Sequence, residues 1–392
     1  MRGLYLHNGP LFSQQANVIQ VLHMCDALTS LGLDMTLAAP DDGMKSSSDA
    51  QDLALREIGR DSSVDYIPFK RLTVAGYLSN LGCRWGAKTL LTKGVDFDFC
   101  ITRNLLVVDL LMRRNIPTIL EFHHEQTHSL RWLDQCYRWK FLPWLRSENL
   151  VKVVTISEAL AQVWIEAGVP VGKIQVLHDG VAGEDYETVE ERAFARNRLG
   201  LPEDGNLVVY AGSLYPDREV ESVFKLARAY PNAHFLVIGG PKERRLELER
   251  EQMSLNLDNV TFKGRVPHQN VREYLFAADV ILMLWGASVP TIRICSPLKV
   301  FESMAAGRVI VGHGFPTIRE VLTDGQEALL ATPGDYQDLE RKLGLALSMS
   351  YPNSMAERAR TLALEKYTWN RRARMLMDAQ TMKKIEAINT SS

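Results

Sequence analysis

Along the chain, short apolar runs alternate with longer stretches in which apolar residues recur at helical spacing. GLYLH (3–7) precedes ANVIQVLHMCDALTSLG (16–32), where Val18, Val21, Leu22, Cys25 and Leu28 share one helix face, and DMTLAAP (34–40) follows. This order predicts strand, helix and parallel strand. Further strands are predicted at FDFCIT (97–102), TILEF (118–122), VKVVTIS (151–157) and IQVLH (174–178). The pattern restarts with NLVVYAG (206–212), a helix from Glu219 to Tyr230, HFLVIGG (234–240) and a charged helix over 243–254. VTFKG (260–264), VILMLW (280–285) and VIVGHG (309–314) complete it. Strands that alternate with helices form parallel sheets, and right-handed crossovers make each half an α/β, doubly wound Rossmann-like unit. Two such units facing a central cleft are expected, with the seam in the polar stretch 183–205, which carries Pro202 and Gly205 near its end.

Composition narrows the field. A length of 392 residues fits two or three domains at about 150 residues each. Lys and Arg total 45 against 47 Asp and Glu, a net charge of -2, with 46% hydrophobic and 23% charged residues. That balance excludes a disordered chain and a nucleic-acid-coating surface. Five scattered cysteines, Cys25, Cys83, Cys100, Cys136 and Cys295, form no Cys-x-x-Cys pair, which fits a reducing compartment and no zinc site. The start lacks a signal-peptide core and no long apolar span occurs, so a cytoplasmic protein is expected, free or peripheral on the inner face of a membrane. Between Tyr66 and Lys152, 13 Lys and Arg stand against 7 Asp and Glu, a local +6. Within that region LRWLDQCYRWKFLPWLR (130–146) interleaves Trp132, Trp139 and Trp144 with Arg131, Arg138, Lys140 and Arg146. Two readings stand: an interfacial helix on anionic lipid, or core tryptophans with solvated charges.

Candidate chemistry concentrates in a few segments. In SPLKVFESMAAGRVIV (296–311) a helix starting near Pro297 directs its free N–H groups at an anion, with Lys299 in the first turn adding a full charge. Glu302 then reaches a ribose diol, or serves only as a dipole partner. In YAGSLYPDREVESVF (210–224) a strand ends at Gly212 and Ser213, the place where open parallel sheets hold ligands. Arg218 there either forks onto phosphate oxygens or pairs on the surface. TILEFHHEQTH (118–128) brings Glu121, His123, His124, Glu125 and His128 to a strand end. His124 to His128 spells the His-Glu-x-x-His pattern, but no third ligand follows at a useful spacing, so a metalloprotease is set aside. Asp96 and Asp98 spell an Asp-x-Asp that invites a metal-diphosphate reading, but standing just before the apolar strand FCIT they read as strand punctuation. The serine nucleophile elbow and the P-loop motif are absent from the sequence.

Taken together, these segments resemble the GT-B nucleotide-sugar glycosyltransferases, specifically the large retaining family four, most clearly from about Lys152 to Trp369. TISEALAQVWIEAGVPVGKIQVLHDGV (155–181), AGSLYPDR, VTFKGRVPHQNVREYLFAADVILML (260–284), SPLKVFESMAAG and FPTIREVLTDGQEALLATPGD (315–335) occur in the family's order. The resemblance implies a GT-B fold with residues 1–183 plus 368–392 as the acceptor-side domain and 184–367 as the donor domain. It implies transfer of a sugar from a UDP- or GDP-sugar to a saccharide or lipid-linked hydroxyl, with retention of configuration and without metal or cofactor. Arg218 and Lys299 would contact the diphosphate, Glu302 the ribose and Val266 the base, with Gly212, Ser213 and Leu298 lining the donor site. His123 would stand near the reacting sugar, and Gly9, Pro10 and Arg103 on the acceptor side. The chain departs from the family pattern at Ile294, where the resemblance implies the first of two glutamates, one that would hydrogen-bond the donor sugar, and at Ser213, where an arginine is common. Those departures keep a transfer-inactive nucleotide-sugar binder in view, and a GT-B epimerase behind it. No nucleic-acid partner is expected.

Overall fold

Thirteen strands, all paired in parallel, build two separate sheets in the computed structural model, which describes residues 1–9, 11, 16–41, 46–60, 64–70, 79–92, 96–126 and 130–391. The first sheet comprises β1 (Arg2–Leu6), β2 (Asp34–Pro40), β3 (Asp65–Phe69), β4 (Phe99–Thr102), β5 (Thr118–Phe122), β6 (Leu150–Thr155) and β7 (Ile174–Val176), in the order β3-β2-β1-β4-β5-β6-β7. The second comprises β8 (Asn206–Ala211), β9 (Ala233–Ile238), β10 (Val260–Gly264), β11 (Val280–Met283), β12 (Val309–His313) and β13 (Leu329–Ala331), in the order β10-β9-β8-β11-β12-β13. Both orders reverse direction once, after the first strand of each sheet, as in doubly wound α/β folds.

The period-2 geometry of a strand explains why these runs are apolar throughout. Leu207, Val209, Leu236, Ile238, Ile281, Met283, Ile310 and Leu330 point into one core layer. Their immediate neighbours Val208, Tyr210, Phe235, Val237, Val280, Leu282, Val309 and Leu329 point into another. A sheet covered on both faces has no polar side to display.

The first unit is Met1–Asp179 with Trp369–Ser392, and the second is Gly180–Thr368. The division at Asp179 precedes the polar stretch that the sequence marks as a seam. Val181 N–H already donates to Tyr367 O at 2.8 Å, and Val181 bridges Thr368, so the second unit is tied together from its first residues. Stretch 183–205 belongs to that unit: Tyr186 is buried, and helix Arg192–Leu199 ends at Gly200 in the left-handed conformation. After Thr368 the chain forms two helices, Trp369–Leu376 and Ala379–Thr390. The spacing of YTWNRRARMLMDAQTMKKIEAI (367–388) predicts a single helix, which is interrupted because Asp378, extended, caps the second helix by accepting from Thr381 N–H.

Candidate functional site

In the second unit the order reverses between β8 and β11, and ligands of such sheets sit beyond the carboxyl ends of the strands at that point. After Ala211 the chain turns through Gly212 and Ser213. Gly239, at φ 113°, permits this: a Cβ there would stand 2.2 Å from Gly212 O. Pro216–Arg218 then form one 3-10 turn, Glu219 takes the left-handed conformation at φ 53°, and the helix begins only at Ser222. The helix predicted from Glu219 is therefore shorter at its start. Arg218 is half-buried, and its Nε donates to Ser213 Oγ at 3.1 Å with Asp217 Oδ1 at 3.6 Å.

Helix Leu298–Ala305 starts directly after Pro297, with Leu298 half-buried at its first position. Lys299 folds over aromatic rings, its Nζ 4.0 Å from the Trp285 centroid and 5.0 Å from that of Tyr210, and donates to Leu284 O at 3.3 Å. Burial, reinforced by the positive field of Arg218 and opposed by Cys295, pulls its ammonium down to about 7. Glu302 lies farther along the helix, its Oε1 2.7 Å from His268 Nε2. His268 follows β10 in the same loop as Val266, which packs against the core. At the end of β12, buried His313 accepts from Trp285 N–H at Nδ1 (3.4 Å), and its Nε2 lies 4.0 Å from Glu219 Oε2. Arg218 and Lys299 present two cations at one sheet edge. That suits an anion whose charge grows during a reaction, since such donors need no reorganisation.

A second polar cluster occupies the carboxyl ends of β1, β4 and β5 in the first unit. Glu121 is its centre: Oε2 accepts from Tyr5 Oη at 2.9 Å, and Oε1 accepts from Gln20 Nε2 at 3.0 Å, His123 Nε2 at 3.0 Å and Arg372 Nη2 at 2.5 Å. Burial alone raises this carboxyl, but Arg372, His123 and Arg103 outweigh it and hold it well below the usual carboxylate range. Burial and Arg103 take His123 down to about 3 against the pull of Glu121, so the ring is neutral. With its Nε2–H committed to Glu121, Nδ1 is its acceptor. Arg103 donates through Nε to Tyr5 Oη at 3.1 Å, while its buried Nη2 has no hydrogen-bond partner among the described residues. Arg372 also donates to His178 O at 3.0 Å. Burial lifts the neighbouring Asp179 to about 7, partly offset by Arg372.

His7, buried after β1, has neither ring nitrogen hydrogen-bonded among the described residues, and burial, Arg103 and His123 bring it to about 3. A Cβ on Gly9 would approach its Nε2 to 3.2 Å. Pro10 and His128 lie outside the described residues. Among the described residues, no group of three or more His, Cys, Asp or Glu is placed to hold a metal ion.

The 130–146 segment resolves into helix Arg131–Phe141 and a 3-10 turn Leu142–Arg146 containing Pro143. Trp132 and Trp139 are 63% and 84% exposed, so they are not core residues. Trp144 instead lies beneath Arg113, whose guanidinium is 5.0 Å from the ring. Arg138 is not solvated either: its Nε donates to buried Asp134 at 2.7 Å and its guanidinium covers Trp164 at 4.2 Å. Among the described residues no helix is long and apolar enough to cross a membrane.

Sequence reasoning passed over His7, Arg372, Asp179, Glu219, Trp285 and His313. His7, Trp285 and His313 close apolar strand runs, a signal readable beforehand, whereas Arg372 contacts Glu121 across a separation of 251 residues and leaves no local trace.

Comparison with known proteins follows the same division. Residues 18–184 match glycosyltransferase family 4 and residues 191–362 match the glycosyl transferases group 1. Lipopolysaccharide 1,2-N-acetylglucosaminetransferase of Salmonella typhimurium is 23% identical over 236 residues, 57% of this chain and 60% of that protein. The chain spans between about half and three fifths of the length of such curated relatives. Among solved structures, sucrose-phosphate synthase of Thermosynechococcus elongatus aligns with a TM-score of 0.75 at 16% identity, over 100% of this chain and 99% of that one. HepE of Anabaena in complex with UDP and glucose gives a TM-score of 0.71 at 15% identity, over 97% of this chain and 99% of that one. The two adjoining matches and the paired doubly wound sheets place the chain among the group 1 glycosyltransferases of GT-B fold.

Proposed function

We propose that this protein transfers a sugar from a nucleoside diphosphate sugar, UDP- or GDP-linked, to a saccharide or lipid-linked hydroxyl, with retention of configuration. The juxtaposition of Arg218 and Lys299 at the carboxyl ends of β8 and β11 carries this reading. Breaking the anomeric C–O bond leaves the electron pair on a diphosphate oxygen, and the two cations stabilise that charge without a required metal. The acceptor hydroxyl attacks from the leaving-group side, its proton passing to the departing diphosphate oxygen. Glu302 receives the ribose hydroxyls, the backbone at Val266 meets the base, and Gly212, Ser213 and Leu298 line the donor site. His123, neutral and fixed by Glu121, offers Nδ1 to a sugar hydroxyl and positions it. Gly9, Pro10 and Arg103 belong to the acceptor side. UDP bound by HepE and the acetylglucosaminyl transfer named for the Salmonella protein support the donor class.

The test is a panel of nucleoside diphosphates and their sugars, read by thermal shift and then by donor consumption with and without saccharide acceptors. Stabilisation by one nucleoside diphosphate and acceptor-dependent consumption are expected. No stabilisation by any of them defeats the reading, and consumption without acceptor turns it toward an epimerase. Arg218→Ala and Lys299→Ala should each lower kcat/KM by the equivalent of about 2.7–4 kcal/mol, as for loss of one oxyanion donor.

Exposed Trp132 and Trp139, with exposed Arg131 and Lys140 beside them, support peripheral docking on anionic lipid at the cytoplasmic face, where a lipid-linked acceptor would be met.

A further inference from the structure

We propose that Glu219 supplies the carboxylate that holds the transferred sugar of the donor, in place of the one that position 294 lacks. The inference rests on the donor-site reading above. Ile294 is buried and apolar, so no carboxylate is available there. Glu219 immediately follows Arg218 and adopts φ 53°. A left-handed conformation costs an L-residue with a Cβ roughly 1–2 kcal/mol. Glycine avoids that cost, and strain of this kind gathers where a side chain is needed. Gly286 and His313 border the Glu219 carboxyl, and burial with the neighbouring Glu221 raises it above its ordinary value. Gly286 donates its N–H to Asp217 O at 2.8 Å, and a Cβ on Gly286 would stand 3.0 Å from Glu219 Oε1. Gly286 thus leaves the space that the carboxylate occupies. On its other side, Glu219 Oε2 lies 4.0 Å from His313 Nε2, too far for a hydrogen bond, and burial shifts that imidazole below its ordinary value, away from the charged form. Among the described residues no arginine or lysine forms an ion pair with Glu219.

The side chain is also reachable, being 39% exposed, unlike Glu121 in the first unit. A carboxylate with open acceptor sites, one residue beyond the diphosphate-binding arginine, is placed for hydroxyls of the sugar attached to that diphosphate. Glu219 is therefore a sugar-binding residue that sets donor specificity.

The experiment compares affinities by calorimetry for UDP and UDP-glucose, and for GDP and GDP-mannose, in the full chain and in Glu219→Gln and Glu219→Gly. The informative quantity is the gain in affinity that the sugar adds to the nucleoside diphosphate. Both variants should bind the bare nucleoside diphosphate within about twofold of the parent and lose about tenfold or more of the sugar's gain, the size of one hydrogen bond to a charged group. Glu219→Gly relieves the backbone strain and guards against a folding defect in Glu219→Gln. Retention of the sugar's gain by Glu219→Gly overturns the proposal, whatever Glu219→Gln does. A parent that gains nothing from either sugar while binding its nucleoside diphosphate overturns it also, and leaves the nucleotide site standing. A parent that binds neither nucleoside diphosphate overturns the donor-site reading itself.

Discussion

Replacing His7 by leucine isolates the acid sensitivity built into the first unit. Burial and the nearby Arg103 guanidinium hold the folded imidazole at about 3, whereas an unfolded chain takes up this proton near pH 6.5. Below pH 6.5 the unfolded state therefore binds a proton that the folded state refuses, so stability falls as pH falls toward 3. Integrated between pH 7.5 and 5.0, one such histidine removes about 2 kcal/mol. That figure is fixed by the unfolded value and hardly changes for any folded value below about 4. His123, also held at about 3, adds a like amount. Urea denaturation followed by tryptophan fluorescence reports the correct unit, because Trp285 is the one tryptophan of Gly180–Thr368 and the other six belong to the first unit. Carboxylates titrate alike in both proteins, so the comparison cancels them. His7→Leu should shrink the loss of stability between pH 7.5 and 5.0 by about 2 kcal/mol. Equal losses in parent and variant, to within about 0.5 kcal/mol, refute the argument and mean that the folded ring accepts the proton.

Arg372→Met leaves Glu121 without its closest cation in a buried setting and should cost about 3–5 kcal/mol in the same urea assay, with Glu121→Gln restoring part of it. Since the Lys299 ammonium is held at about 7 and an anion must find it protonated, affinity for the bound nucleoside diphosphate should weaken by up to about tenfold per pH unit above that value. Lys299→Arg should show a flat calorimetric profile between about pH 6 and 9, and parallel profiles would sink the assignment. Trp132→Ser with Trp139→Ser should reduce flotation with phosphatidylserine-containing vesicles while stability changes by no more than about 0.5 kcal/mol; unchanged flotation rejects the membrane surface.

The fold was largely legible because strands buried on both faces read as unbroken apolar runs, as NLVVYAG and VIVGHG do. Two edge strands escaped: β3, DYIPF, carries Asp65 and Pro68, and β13 is only LLA. The second-unit site was partly legible because Arg218 sits on a strand-to-helix connection and Lys299 and Glu302 on the opening turns of the helix after Pro297, where local chemistry marks them. Its aromatic floor, Trp285 and Tyr210, was read as strand and nothing more. The Glu121 cluster was mostly hidden. Glu121 and His123 share a strand end, but Tyr5, Gln20 and Arg372 reach them only through the sheet order and the returning chain.

That return imposes an order on biosynthesis. The second unit is continuous in sequence and is complete when Thr368 has been made, but the first waits for Trp369 onward, which carries Arg372. At about 5–20 residues per second, roughly 13 to 50 s separate synthesis of Glu121 from that of its counter-charge. During this interval a nascent first unit holds a carboxylate that it cannot bury favourably, so its core should stay open to solvent and to chaperones until the last helices emerge. A chain released after Thr368 would therefore display a protease-resistant second unit beside a protease-sensitive first one.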